Sequence, residues 1–344
     1  MKIGELRDLL KTADKKQLLG IIDIVYKSLP KDRKEDIDTG ITDLLSQGKD
    51  SSKKAAKPVK PKKTLPDMSA LRDQISAFVD NAREGLYLRP NRIISKDRRS
   101  KWRFEAQRFV KDLKQFAPAD EDYQNSLDCL KDIYQVLTEG CGVYLFRSDD
   151  PFASIGINQE EFYAMLCDRV FLPEVKPDRE TLADMIDLAT NVSIDRTSLH
   201  TSLILSYLDH LRDDADLLRL SAEIVSDLLH ALPPDGGPSF FITIEKSLAS
   251  SRLAHLCEML QGLYTRLGEL KKGARLFFDE SVKHRTHCSD KEVIFYNMLK
   301  NEHCFGGDDR TWTEIYEEFR DKEKIKPRES LVKLYNEKMT ALED

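Results

Sequence analysis

The chain has 344 residues, 40% of them hydrophobic and 33% charged, with only 15 Gly and 13 Pro. That length is enough to bury a substantial core, and the scarcity of turn formers favours long regular elements, helices above all. The opening MKIGELRDLLKTADKKQLLG carries a charge every few residues and does not read as a secretory leader, and no run approaches the roughly 20 apolar residues of a membrane span. Six cysteines, Cys129, Cys141, Cys167, Cys257, Cys288 and Cys304, are scattered without paired spacing, as expected of reduced thiols in a cytoplasmic protein.

The net charge of -6 conceals a separation. Residues 1–47 balance nine basic against nine acidic side chains, residues 49–111 carry eighteen basic against seven acidic, and residues 112–344 carry 27 basic against 44 acidic. Such a distribution attracts a polyanion locally, or pairs the basic segment with the protein's own acidic body.

In chain order, residues 1–47 read as a small helical module of three helices, with Leu18, Ile22, Val25 and Leu29 at helical spacing and Pro30 as a stop. Residues 48–66, GKDSSKKAAKPVKPKKTLP, cannot bury apolar surface and read as a Lys/Pro-rich flexible linker. A helical lobe is expected over 67–232. It opens with a helix whose face is Leu71, Ile75, Phe78, Val79 and Ala82. The stretch Arg89–Lys111 follows, with nine basic against two acidic residues. Its helix, from about residue 100 to 116, lines up Trp102, Ala106, Phe109, Leu113 and Phe116 as a core stripe, leaving Phe104 as the aromatic exception. Over 127–145, Leu130, Tyr134 and Leu137 continue the pattern, and Gly140 and Gly142 imply either a break or a close neighbour.

The turn-rich RSDDPFASIGIN, with Arg147, Asp149, Asp150 and Phe152, is a candidate functional loop; the plainer reading is a capped turn with solvated carboxylates. Asn158 with Glu161 forms a capping pair for the next helix. Further helices are expected at about 160–171, 178–190, 196–211 and 214–231, with Leu199, Leu203, Tyr207 and Leu211 as one stripe. PPDGGP at 233–238 marks a boundary before a second lobe over 239–344. In that lobe Ser289 with Glu292 and Thr311 with Glu314 read as capping boxes.

Residues 255–281 place Leu260 and Tyr264 on one helix, Leu267-Gly268 at a turn, and Leu270, Gly273 and Phe277 on a second helix. This stretch resembles one tetratricopeptide repeat, apart from Gln261 where that family carries a small residue and Glu280-Ser281 at its close. No second copy follows at the family's spacing. The resemblance implies a helical hairpin and a scaffold that binds proteins or peptides.

Chemical motifs are sparse. His284, His287, Cys288, His303 and Cys304 are zinc-ligand types, but a helix between Ser289 and Glu302 puts the two groups at opposite ends of an element about 20 Å long. Asp209, Asp213 and Asp216 read as a helix end followed by a cap rather than as a cation site. No phosphate-cradling loop, dinucleotide fingerprint or nucleophile elbow is legible, so no catalytic residue, metal or cofactor is assigned. The expectation is an all-α protein: an antiparallel helical bundle or irregular α-solenoid body, carrying a three-helix module on a linker. Its function is expected to be non-enzymatic binding of a protein partner through a helical surface. The alternative is a nucleic-acid-associated protein in which Arg89, Arg92, Lys96, Arg98, Arg99, Lys101 and Arg103 contact phosphates. An enzyme of unknown class ranks third.

Overall fold

The computed structural model describes residues 65–88, 101–173, 175–211, 214–231, 244–286 and 290–343, with the backbone alone for 244–250. The N-terminal module, residues 48–64 of the linker, residues 89–100 of the basic stretch and PPDGGP lie outside the described residues. Every regular element described is helical: thirteen α-helices and one 3-10 turn, with no strand among the described residues. No helix among them is long and apolar enough to cross a membrane.

The first helix, α1 (Met68–Arg83), begins where the Asp67 carboxylate accepts the backbone N–H groups of Ser69 and Ala70, and it buries the whole expected stripe from Leu71 to Ala82. After a 3-10 turn (Leu86–Leu88), α2 (Trp102–Leu113) buries Trp102, Ala106, Phe109 and Leu113. Both pack on α3 (Tyr123–Gly142), the longest helix of this half, whose Leu127, Leu130, Ile133, Tyr134 and Leu137 are fully or almost fully buried. Truncating any one of these leucines to alanine costs about 2–5 kcal/mol through lost burial and the cavity left behind. Phe146 locks the arrangement, lying 4.5 Å from the Trp102 ring and stacked at 5.9 Å on Tyr87. With its Trp102 face held this way, α2 turns Phe104 outward, 71% exposed.

Both glycines of α3 are helical, and both are explained by close neighbours. A Cβ at Gly140 would lie 2.8 Å from the Phe146 ring, and one at Gly142 would collide with the Ser193 hydroxyl. The short α4 (Pro151–Ile155) is capped by Asp150, whose side chain accepts the Ala153 N–H, and closed by Gly156 at φ 77°. α5 (Gln159–Val170) carries the expected Asn158–Glu161 capping box. α6 (Arg179–Thr190) and α7 (His200–Leu211) then stack on α5 and on each other, and α8 (Ala215–Ala231) packs on α6 and is tied to α7 by the Tyr207–Ser221 hydroxyl pair. Leu199 departs from the expected stripe: the Asp195 carboxylate holds the preceding turn, α7 starts at His200 rather than at about 196, and Leu199 is left 65% exposed.

The helix α9 (Ile244–Arg266) packs on α7, α8 and its hairpin partner α10 (Leu270–Lys283), so the sequence on either side of 233–238 shares one compact unit, Leu65–Asp344. The hairpin turn passes through Gly268 at φ 75°, and Gly273 lets α10 approach α9, since a Cβ there would lie 2.9 Å from Tyr264. Gln261 is fully buried, donating to the Met298 carbonyl at 2.7 Å and to Glu302 at 3.1 Å. It ties α9 to α11 (Lys291–Cys304).

The last helices are α12 (Asp309–Lys322) and α13 (Glu329–Glu343). Two expected caps move. The α11 cap is Asp290, which accepts the Glu292 N–H; Ser289 is not among the described residues. The α12 cap is Asp308, which accepts the Thr311 N–H, so Thr311 is already helical and Glu314 pairs with Lys271 instead. In both places aspartate, as good a cap as serine or threonine, takes the position.

Candidate functional site

A cleft of about 810 Å³ opens between α3, α6, the loop after α6 and α9. On α3, Asp128, Lys131, Asp132, Gln135 and Glu139 fall at three- and four-residue spacing and so share one polar face. From α6 come Asp184 and Asp187, and from α9 come Ser251, Arg252 and His255. The lining carries five carboxylates against two permanently cationic side chains.

Three of these carboxylates are tied to neighbouring helices. Lys131 on α3 reaches Asp184 on α6 at 3.1 Å, and Arg252 on α9 reaches Asp187 at 2.6 Å. Arg83, at the end of α1, holds Glu139 in a two-point contact at 2.7 and 3.0 Å. Asp128 and Asp132 make no ion pair among the described residues; Asp128 accepts only the Gln124 amide, at 3.1 Å. Crowding by the surrounding helices, together with the neighbouring Asp128 charge, pushes the Asp132 pKa above the usual aspartate value, although the side chain keeps contact with solvent.

The far wall is the 191–199 loop, built around Asp195. Its carboxylate accepts the backbone N–H groups of Gln159 (2.7 Å), Thr197 (2.9 Å) and Ser198 (2.6 Å). Burial alone would raise its pKa, but these donors outweigh it and hold the group below the ordinary range. The Gln159 side chain completes the brace, donating to the Ser193 carbonyl at 3.0 Å and accepting the Asp195 N–H at 2.8 Å.

Two histidines close the cleft. The rings of His200 and His255 stack with centroids 3.5 Å apart. His200 Nε2 lies 3.0 Å from the Val192 carbonyl and His255 Nδ1 lies 3.2 Å from the Thr190 carbonyl. A carbonyl only accepts, so each of these nitrogens carries the proton. Burial lowers the His200 pKa, opposed by the Val192 bond.

The residues singled out from sequence lie elsewhere. Arg89, Arg92, Lys96, Arg98 and Arg99 are outside the described residues. Lys101 immediately precedes α2, and the Arg103 guanidinium lies 5.5 Å from the Trp102 ring centroid. In the 147–156 loop, Asp150 caps α4, Asp149 pairs with Arg196, and Phe152 is fully buried against Tyr134 and Phe162; Arg147 is exposed. Of the zinc-type residues, His287 and Cys288 are not described, and His284 bonds Glu280 at 3.1 Å. Among the described residues no three His, Cys, Asp or Glu side chains converge as a metal site.

The cleft was not anticipated, because its acidic spacing on α3 reads locally as a solvated helix face. The one available signal was Asp128, Asp132 and Glu139 recurring on that face. No family model, curated protein or solved structure matches this chain.

Proposed function

We propose that this chain is a protein-binding scaffold whose helical body receives a basic, Lys- or Arg-bearing segment of a partner in the cleft between α3, α6 and α9. The observation that carries this reading is the excess of carboxylates in a concave site, with Asp128 and Asp132 making no ion pair among the described residues, although Arg83, Arg72 and Lys131 lie near enough to Asp132 to act on its charge. An incoming ammonium or guanidinium would relieve the like-charge crowding around Asp132 as well as gain its own ion pairs. Complementary charge speeds encounter and rejects acidic competitors, which suits recognition more than permanent assembly. The stacked helices and the α9–α10 hairpin supply the rigid frame that such a surface needs, in keeping with the hairpin's likeness to scaffold repeats.

The test is a fluorescence-anisotropy titration of the full chain with a labelled Lys/Ala-repeat peptide. Expected is saturable binding that weakens as salt rises, is lost by about tenfold or more in Asp128→Asn/Asp132→Asn, and strengthens as pH climbs through the Asp132 titration. Absence of binding at low salt, or equal binding by the double variant, would refute the reading.

A further inference from the structure

A second concave surface lies between α2 and the α4–α5 connection: a groove of about 330 Å³ lined by Gln107, Val110, Lys111, Lys114, Ile155 and Ile157. It shares no lining residue with the acidic cleft. The groove exists because α2 packs on α4, with the Gln107 amide donating to the Ile155 carbonyl at 3.0 Å. Its floor is aliphatic and its rim carries two lysines. Neither Lys111 nor Lys114 forms an ion pair or a hydrogen bond through its side chain among the described residues. At 100° per residue, Lys111 lies beside the exposed Phe104, Arg103 and Lys114 fall on one flank and Arg108 on the other, so the outward face of α2 is basic with one aromatic. Arg108 is spent on Gln74 at 2.6 Å, a neutral partner.

We infer that this groove docks an acidic amphipathic segment of a partner protein, one bulky aliphatic or aromatic side chain entering between Val110, Ile155 and Ile157 while flanking carboxylates meet Lys111 and Lys114. Two features select this occupant. An aliphatic slot rewards an apolar side chain and gives a phosphate backbone nothing. The lysines stand at the slot's rim, where carboxylates one helical turn from the inserted side chain would fall. A nucleic acid would need further stacking platforms, and the face offers Phe104 as its one outward aromatic among the described residues of α2. The inference is independent of the cleft, so failure of one leaves the other standing.

The experiment is selection of short random peptides displayed on phage against the full chain, followed by anisotropy with the enriched peptides and, in parallel, with labelled oligo-dT. Expected are sequences that place Asp or Glu within a helical turn of Leu, Ile, Phe or Met. Their affinity should fall about tenfold or more in Lys111→Glu/Lys114→Glu, and should survive in Lys111→Arg/Lys114→Arg. Enriched peptides without acidic residues, peptides that bind the charge-reversed variant equally well, or no enrichment at all would each overturn it. Oligo-dT binding that is lost in the charge-reversed variant, with no peptide selected, would overturn it in favour of a nucleic-acid surface. Circular dichroism of both variants confirms that the fold is kept.

Discussion

The acidic cleft and the basic groove are both concave, charged and built on helices of one compact unit, yet they hold their charges in opposite ways. In the cleft, three of five carboxylates bridge to cations on neighbouring helices, and the loop forming one wall is threaded by the buried Asp195–Gln159 network. Along the groove, Lys111 and Lys114 touch no carboxylate among the described residues, and α2 is held in place from its other face by Trp102, Phe109 and their aromatic neighbours. The cleft's charged lining is therefore also part of what positions α3, α6 and α9, whereas the groove's charges sit on a helix whose position is decided elsewhere. Substitutions in the two places should separate accordingly.

The largest effect is expected at the cleft wall. Asp195→Ala leaves the backbone N–H groups of buried Gln159 and Ser198, and that of exposed Thr197, without their acceptor, and it should cost about 3 kcal/mol in denaturant unfolding and weaken basic-peptide binding together. A loss of binding without a loss of stability would show that the wall is not built as described. The contrast can be sharpened with a charge that belongs to neither surface. Glu302, fully buried between Gln261 and Thr265, has its pKa pushed up to about 7 by burial, against which the bonds from Gln261 and Thr265 only partly compensate. Its folded-state pKa exceeds its unfolded one, so stability falls as pH rises from the ordinary glutamate range to about 7 and is flat above. Glu302→Gln should abolish that fall and raise stability at neutral pH by on the order of 2–3 kcal/mol, read from unfolding midpoints across pH, with neither binding surface affected.

The helices were legible in the sequence because their signal is local. Stripes such as Leu71–Ala82 and Trp102–Phe116 repeat with the helical period, and Asn158 with Glu161 announces its own start. Caps at 289 and 311 were misplaced because Asp290 and Asp308 compete for the same role within a residue or three, and the choice rests on where the chain enters the helix. The cleft was not legible, since it is assembled from residues as far apart as Asp128 and His255, each unremarkable on its own helix. The same holds for Gln261. Against the repeat pattern it is only an oddity, and its meaning appears when Met298 and Glu302 arrive from α11. Lys111 and Lys114 are legible as charge, but the groove they rim depends on Ile155 and Ile157, which the sequence presents as part of a separate loop.

The smallest effect tests the contrast most directly. Lys111→Glu/Lys114→Glu removes no described partner and should change unfolding stability by no more than about 0.5 kcal/mol. Asp132 differs, because its charge is actively disfavoured where it stands: crowding by the surrounding helices and the neighbouring Asp128 carboxylate both raise its pKa. For an acid with a raised folded-state pKa the cost is present once pH exceeds that pKa and vanishes below the ordinary aspartate range. Asp132→Asn should therefore stabilise the protein at pH 7 by a few tenths of a kcal/mol, a small figure because solvent screens the group, and by nothing near pH 3. A charge whose removal improves folding and impairs peptide binding is one kept for what it meets, not for the fold. If the variant instead destabilises at pH 7, Asp132 belongs with the bridging carboxylates Asp184, Asp187 and Glu139, and the cleft loses its best claim to be a binding site.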